Sequence, residues 1–116
     1  MNAEEGLLQG YRVLDLTDER GLMTGRILAD LGADVVQVEP PDGSRARQAT
    51  PISAAGSYVW DTYAANKRGI VADPATAEGS DLIRRLVQQA DFFIESLGPG
   101  VAERYGLGCA RLRELN

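Results

Sequence analysis

The sequence predicts an α/β fold built on a parallel sheet. Four short apolar segments have the length of buried strands, at residues 11–16, 34–38, 69–72 and 91–95. Segments with helical periodicity separate these strands, and strands that alternate with helices form parallel sheets with right-handed crossovers. The chain has 116 residues, enough for one small domain. We therefore expect a single Rossmann-like sheet layer.

The first strand is followed by a predicted helix over residues 18–31. Thr17 or Asp18 can act as its N-cap, and Gly32 ends it. Asp15, inside the first strand, is expected to brace the turn that leads into the helix. Four residues share the predicted buried face: Thr24, Ile27, Leu28 and Leu31.

Residues 40–56 are expected to form a long irregular loop, which in a compact domain is usually functional or mobile. Arg45 and Arg47 would add positive charge there as a mobile, solvated pair. A short helix is expected next, with two aromatic side chains that pack: Trp60 and Tyr63.

The helix predicted over residues 76–90 has the clearest periodicity in the chain. Thr76 is its expected N-cap, and Glu78 lies in its first turn. The apolar stripe consists of Leu82, Ile83, Leu86, Val87 and Ala90. The side predicted to face water consists of Asp81, Arg84, Arg85, Gln88 and Gln89. Two short helices are expected after the fourth strand, over residues 99–105 and 109–115.

Composition narrows the possible functions. The chain carries 17 Asp and Glu against 12 Lys and Arg, and a net charge of -5 argues against a nucleic-acid partner. No apolar run approaches the ~20 residues of a membrane helix, so no membrane partner is expected. The single cysteine, Cys109, cannot form an internal disulfide, which favours a cytoplasmic location. Its small apolar neighbours predict a buried, inert thiol.

The chain contains no histidine. This absence excludes Ser-His and Cys-His catalysis within the chain and removes the commonest zinc ligand, so no metal site is expected. Any acid–base chemistry here has to use carboxylates, lysine or tyrosine.

The candidate binding site lies at the carboxyl ends of the strands, where open parallel sheets bind ligands. Three loops reach that edge, over residues 17–21, 73–75 and 96–100. The first reads TDERG and lacks the G-x-G-x-x-G spacing of a dinucleotide-binding loop. Glu39 ends the second strand where a ribose-binding carboxylate would stand, so a dinucleotide site is an alternative.

The third of these loops, in ESLGPGVAER, combines two glycines with Arg104 one helical turn later. Backbone amides at a helix start, together with an arginine, suit a phosphate group. The alternative is a tight turn beside a solvated Arg104. Asn66, Lys67 and Arg68 stand together before the third strand, and an ordinary loop leading into that strand is the favoured interpretation.

Four segments in combination carry a family resemblance: GYRVLDL, GRILADLGADVVQVEPP, NKRGIVAD and DFFIESLGPGVAERYGLG. From residue 8 to 116 the chain resembles the N-terminal part of class III CoA-transferases, the CaiB/BaiF family. The resemblance implies that residues 1–116 belong to a Rossmann-like large domain. It also implies an enzyme that moves CoA between carboxylic acids through an aspartyl-CoA mixed anhydride. A sister branch racemises 2-methylacyl-CoA, and a non-catalytic relative is a further alternative.

The same resemblance implies acyl-CoA and carboxylic acid substrates, no permanently bound cofactor, and an interlocked homodimer. By position, it places Arg104 at the CoA phosphates. The nucleotide crevice would be lined by Ser96, Leu97 and Gly98, and a second CoA-lining turn by Ala72, Asp73, Pro74 and Ala75.

Two positions depart from the family pattern. Arg20 stands where well-studied members carry an A-G-P turn that seats the acyl group, so we expect a different acyl pocket. Pro40 replaces a basic residue that some members use toward the CoA nucleotide. The nucleophilic aspartate is expected beyond residue 116, so residues 1–116 contain no predicted catalytic residue and are expected to be inactive alone.

Overall fold

The computed structural model of the protein describes residues 6–116. Its strands are β1 (Arg12–Leu16), β2 (Asp34–Glu39), β3 (Ile52–Ser53), β4 (Gly56–Ser57), β5 (Arg68–Val71) and β6 (Phe92–Glu95). Four of them form a parallel sheet in the order β5-β2-β1-β6, while β3 and β4 form a small antiparallel hairpin. The predicted α/β fold with a parallel sheet is therefore confirmed.

Five α-helices connect and cover the strands: α1 (Leu22–Asp30), α2 (Tyr58–Tyr63), α3 (Ala77–Val87), α4 (Val101–Arg104) and α5 (Cys109–Leu115). A 3₁₀ turn over Arg45–Gln48 lies in the segment between β2 and β3. Within residues 6–116, no helix is both long enough and apolar enough to cross a bilayer.

The sheet has an apolar core on each face because alternate residues of a strand point to opposite sides. The larger core lies under α3, α4 and α5, and its buried members are Leu14, Leu16, Val36, Val38, Ala72, Ile83, Val87, Ala102, Leu107 and Leu112. The smaller core lies under α1 and contains Val13, Ala33 and Val35, with Leu28 packed against it. The sheet is thus the middle layer of three.

The buried face of helix α3 is the one predicted from the sequence. The Thr76 hydroxyl accepts a hydrogen bond from the Gly79 N–H at 3.0 Å, which is the expected N-cap. Ile83 and Val87 are buried, and the other residues of the predicted stripe pack against the same core. Arg84 departs from the prediction, since it is half-buried and donates to the Tyr105 carbonyl.

Helix α1 differs from its prediction in two respects. It begins at Leu22, four residues later than expected, because the Gly21 and Leu22 N–H groups both bond the Asp18 carbonyl and form a separate turn first. The cap is Gly21, which supplies no side-chain hydrogen bond. The predicted buried face was wrong for three of its four residues: Thr24, Ile27 and Leu31 are exposed, and Leu28 packs against the smaller core. The buried residues of the helix are Leu22 and Gly25.

The segment over residues 40–56 is more regular than expected. The arginines there are held in ion pairs: Arg45 contacts Glu19 at 2.9 Å, and Arg47 contacts Glu39 at 2.6 Å. These ion pairs were not predicted, although the Arg45 side chain is 74% exposed and is therefore solvated as expected. Trp60 packs as predicted, with the Arg47 guanidinium 4.2 Å from the centre of its rings.

Cys109 also differs from its prediction. It is the first residue of α5 and is exposed, in a groove between that helix and the outer edge of β6. Its neighbour Leu112, three residues further along the helix, takes the buried position instead. The small apolar neighbours in the sequence therefore mark the start of a helix rather than a buried thiol.

Candidate functional site

The strand order reverses between β1 and β6, so the predicted ligand crevice corresponds to the carboxyl ends of these two strands. From β1 the chain goes through α1 to β2 on one side, whereas β6 lies on the other side of β1. Helices α1 and α3 cover opposite faces of the sheet. Such a reversal of strand order opens a crevice outside the sheet, which is where α/β proteins bind ligands.

Three side chains join the two loops at this crevice. The Asp18 N–H donates to the Ser96 hydroxyl at 2.9 Å, and that hydroxyl donates back to the Asp18 carboxylate at 2.9 Å. Arg20 pairs with Asp18 at 2.7 Å and also donates to the Ser96 carbonyl at 2.6 Å. The loop after β1 and the loop after β6 are therefore tied to each other across 78 positions of sequence.

These contacts keep the Asp18 carboxylate ionised. Partial burial alone would raise its pKa, but hydrogen bonds from Arg20 and Ser96 outweigh that effect and lower the pKa to about 2. Arg20 is 55% exposed at its side chain, so the pair lies at the surface of the crevice. Its Nη1 group makes no hydrogen bond with residues 6–116.

A second polar cluster lies beneath this loop and is fully buried. The Lys67 ammonium contacts Asp15 Oδ2 at 2.9 Å, and the two side chains are 1% and 0% exposed. It also donates to the Leu22 carbonyl at 2.9 Å and to Gln37 Oε1 at 3.0 Å. All three ammonium protons of Lys67 therefore have partners.

The other atoms of this cluster hold Thr17. The Thr17 N–H and hydroxyl both donate to Asp15 Oδ1, at 2.9 and 2.6 Å. The Gln37 amide donates to the Thr17 carbonyl at 2.8 Å. The predicted role of Asp15 as a brace for the adjacent turn is confirmed. We call Asp15, Thr17, Gln37 and Lys67 the buried polar cluster.

Helix α1 passes directly over the buried polar cluster at Gly25. A Cβ atom at that position would lie 2.0 Å from Asp15 Oδ2 and 2.9 Å from Lys67 Nζ. Only a glycine allows this approach, and it turns the helix so that Gly25 faces the sheet. The predicted face was wrong for this reason, because apolar spacing does not reveal where a helix approaches a buried charge.

The interpretation of residues 66–68 as an ordinary loop is corrected by these contacts. Lys67 enters the protein interior, Asn66 donates to Asp30 at 2.6 Å, and Arg68 pairs with Asp34 at 2.7 Å. One signal in the sequence could have revealed the cluster. Asp15 and Gln37 interrupt two otherwise apolar strands, a buried carboxylate needs a partner, and Lys67 is the only lysine in the chain.

Burial affects the Lys67 ammonium as well. Loss of water lowers its pKa below the usual value, while the attraction of Asp15 opposes that change. The ion pair and the two further acceptors explain how a charged amine is tolerated in the interior.

The loop after β6 holds the other residues that were assigned to the nucleotide crevice. The Leu97 N–H donates to the Glu95 carboxylate at 2.9 Å, and Gly98 has a φ of 104°, which favours glycine. Helix α4 is a single turn, shorter than expected. A phosphate contact here therefore depends on the Arg104 side chain rather than on a helix N-terminus.

Arg104 is exposed and forms no ion pair with the part of the chain that the structure describes. Of the 12 Lys and Arg side chains of the chain, nine form ion pairs within residues 6–116. The three that do not are Arg85, Arg104 and Arg113. Of these three arginines, Arg104 lies on α4, the helix that follows the loop after β6.

The turn assigned as a second CoA-lining segment lies apart from this crevice. Ala72 donates its N–H to the Glu39 carbonyl at 2.9 Å, and the Ala75 N–H donates to Asp73 Oδ1 at 2.9 Å. The turn follows β5, at the opposite edge of the sheet from β6. Three strand spacings, roughly 14 Å, separate the two edges. The structure therefore does not bring residues 72–75 together with Ser96.

The carboxylate that a dinucleotide site would need, that of Glu39, is already engaged in other contacts. Glu39 accepts a hydrogen bond from the Ser44 N–H at 2.8 Å and pairs with Arg47 through both oxygens. These contacts lower the pKa of Glu39 despite its partial burial. A carboxylate engaged in this way is poorly placed to bind a ribose.

Comparison with known proteins identifies the family of the chain. The model of the family described as CoA-transferase family III matches residues 8–116. The chain is 37% identical over 113 residues to the probable fatty acyl-CoA transferase Rv3272 of Mycobacterium tuberculosis, a match that covers 94% of this chain and 29% of that protein. It is 43% identical over 118 residues to the succinate–glutarate CoA-transferase of Agrobacterium fabrum, covering 94% and 30%.

Solved structures show the same similarity. A CaiB/BaiF family protein from Brucella suis superposes with a TM-score of 0.88 at 35% identity, covering 97% of this chain and 32% of that one. The chain therefore spans about 30% of the length of the curated relatives described above.

Proposed function

The chain belongs to CoA-transferase family III, and from this membership we propose that the protein transfers CoA between carboxylic acids. Its substrates would be acyl-CoA thioesters and free carboxylic acids, with no permanently bound cofactor and no nucleic acid or membrane partner. Residues 1–116 would form the N-terminal part of a larger Rossmann-like domain in an interlocked, cytoplasmic homodimer.

One observation carries the proposed site: the loops after β1 and β6 are joined through Asp18, Arg20 and Ser96 at the crevice of the sheet. Arg104, at the end of the helix that follows the loop after β6, forms no ion pair among residues 6–116. Such a guanidinium suits the phosphate groups of CoA, and we place them there.

Within this site we assign Arg104 to the CoA phosphates and the segment Ser96, Leu97 and Gly98 to the nucleotide. The turn formed by Ala72, Asp73, Pro74 and Ala75 lies about three strands away, so it would contact a different part of an extended CoA molecule. Arg20, whose Nη1 group makes no hydrogen bond with residues 6–116, would lie toward the acyl end of the thioester.

The chemical step would use an aspartate outside residues 1–116. Its carboxylate attacks the thioester carbonyl, the CoA thiolate leaves, and an acyl-aspartyl anhydride remains. The thiolate then attacks the aspartyl carbonyl, which releases the first carboxylic acid and leaves an aspartyl-CoA thioester. The acceptor carboxylate attacks this thioester, expels the CoA thiolate and forms a second anhydride. The thiolate attacks the acceptor carbonyl of that anhydride, which gives acceptor-CoA and frees the aspartate. The residues described here would bind and orient CoA during these steps.

The test is a transfer assay on the protein at its natural length. Succinyl-CoA and other acyl-CoA donors are incubated with carboxylic acid acceptors, and the new thioester is detected by mass spectrometry. Appearance of acceptor-CoA supports the proposal. Binding of CoA without transfer would instead indicate a non-catalytic relative. Inversion of a 2-methylacyl-CoA would indicate the racemase branch. Saturation with NAD but not with CoA would indicate a dinucleotide-binding module.

A further inference from the structure

The contacts of Lys67 connect four parts of the chain that are distant in sequence. Its ammonium reaches β1 through Asp15, β2 through Gln37 and the first turn of α1 through the Leu22 carbonyl. Lys67 itself lies just before β5. One buried cation therefore fixes the relative positions of two central strands and of the helix that follows the crevice loop.

The same cluster fixes both ends of the loop over residues 17–22. At its start, Asp15 and Gln37 hold all three polar groups of Thr17: the N–H, the hydroxyl and the carbonyl. At its end, Lys67 holds the Leu22 carbonyl. Between these anchors lie Asp18 and Arg20, which make the contacts with Ser96 across the crevice.

We propose that Lys67 is a positioning residue for CoA-thioester binding, because it sets the location of the loop over residues 17–22 at the crevice. The inference rests on the proposed function. It gives Lys67 no contact with substrate and no proton transfer. Its effect on the thioester is indirect, because Thr17 and Leu22 anchor the two ends of the loop that borders the crevice.

A purely structural role would make a different prediction. Loss of stability reduces the fraction of folded enzyme, so the apparent kcat falls while the KM of the remaining folded molecules stays the same. Loss of positioning changes the folded enzyme itself. A displacement of about 1 Å in a binding loop can reduce catalytic efficiency by about a hundredfold, so KM for the thioester should rise.

The experiment uses the protein at its natural length and three variants. Lys67→Met keeps the side-chain length and removes the charge. Gln37→Leu removes two hydrogen bonds of the cluster but leaves the ion pair intact, and it serves if Lys67→Met does not fold. Val87→Ala is the control, because Val87 is the last residue of α3 and is buried in the core on the opposite face of the sheet from α1.

We expect Lys67→Met to raise KM for acyl-CoA by about tenfold or more, and Gln37→Leu to raise it by a smaller factor. Amide hydrogen exchange should become faster over residues 17–22 in both. Val87→Ala should lower stability with KM unchanged. The inference would be overturned if Lys67→Met left both the KM and the hydrogen exchange of this loop unchanged. If Lys67→Met does not fold, the same result for Gln37→Leu would overturn it.

The double variant Asp15→Leu with Lys67→Met separates the two roles further. It removes both charges together, so part of the stability should return, although the buried Thr17 N–H and hydroxyl lose their acceptor. The loop anchors stay absent, so KM should remain high; recovery of KM together with stability would contradict positioning. If the unmodified protein binds no CoA thioester, the proposed function fails, whereas normal binding with unaffected variants would refute only the positioning role.

Discussion

Lys67 and Asp15 form an ion pair in the interior of the protein, with the ammonium and carboxylate 2.9 Å apart and neither side chain more than 1% exposed. They are separated by 52 positions in sequence. Every polar atom around the pair has a partner: Thr17, Gln37 and the Leu22 carbonyl complete the set. The pair lies directly beneath the loop that borders the proposed CoA site.

Removal of one member of this pair should be costly. Lys67→Met leaves the Asp15 carboxylate buried without its counter-charge, which typically costs about 3–5 kcal/mol of unfolding free energy. Urea unfolding followed by circular dichroism measures the loss. Asp15→Asn combined with Lys67→Met removes the unpaired charge but keeps an acceptor oxygen for the Thr17 N–H and hydroxyl, so it should recover much of the loss. A double variant no more stable than Lys67→Met would show that the buried charge is not the cause.

Gly25 should tolerate no side chain. In Gly25→Ala the new Cβ atom would approach Asp15 Oδ2 to 2.0 Å, so the helix or the carboxylate has to move. Overpacking of this kind costs about 1–3 kcal/mol, which exceeds the gain of about 1 kcal/mol from better helix propensity.

The matched control for that variant is Gly69→Ala. No atom lies within 4 Å of a Cβ atom at Gly69. We expect no loss of thermal stability there and a clear drop in melting temperature for Gly25→Ala. Equal melting temperatures for the two variants would mean that α1 does not approach the sheet as described.

The contacts of Asp18 should make stability depend on pH. Its pKa is about 2 in the folded protein against 3.8 for the free side chain, so the folded state favours the ionised form. The resulting stabilisation is fully present above about pH 4 and is lost as the pH falls toward 2. We estimate its size at about 1–2 kcal/mol, because Arg20 is largely exposed and its attraction is screened.

Asp18→Asn tests this dependence. The difference in unfolding free energy between the unmodified protein and the variant should be largest near pH 5 and should shrink as the pH approaches 2. Asp42→Asn controls for the loss of one negative charge, since Asp42 is exposed. A difference for Asp18→Asn that stays constant between pH 5 and pH 2 would be inconsistent with an ion pair at this position.

Arg104 should matter for CoA affinity and little for stability. Loss of one charge-assisted phosphate contact should weaken binding by about 1.5–3 kcal/mol, which isothermal titration with CoA measures. Arg85→Ala is the matched control because Arg85 is also an exposed arginine without an ion pair among residues 6–116, but it lies on α3. Equal affinities for the two variants would place the phosphates elsewhere.

The sequence was sufficient to predict the features that depend on local patterns. The four strands of the parallel sheet follow from short apolar runs, and α3 follows from its periodicity and its cap at Thr76. The brace formed by Asp15 was also predicted, because it reaches only two residues along the chain.

The features that the sequence failed to predict depend on contacts between distant residues. Lys67 lies in a loop by pattern, and only the folded chain brings it to Asp15 and Gln37. The buried face of α1 is centred on Gly25 because of that same cluster, so apolar spacing predicted the wrong side. Arg47 was expected to be solvated, yet Glu39 and Trp60 are brought beneath it by the turn after β2.

The most direct test of the account is a crystal structure of the protein at its natural length with bound CoA. We predict that the CoA phosphates lie within hydrogen-bonding distance of Arg104 and that the thioester end lies beside the loop over residues 17–22. The Lys67–Asp15 pair should be intact beneath that loop. CoA bound away from the ends of β1 and β6 would contradict the proposed site and, with it, the positioning role of Lys67.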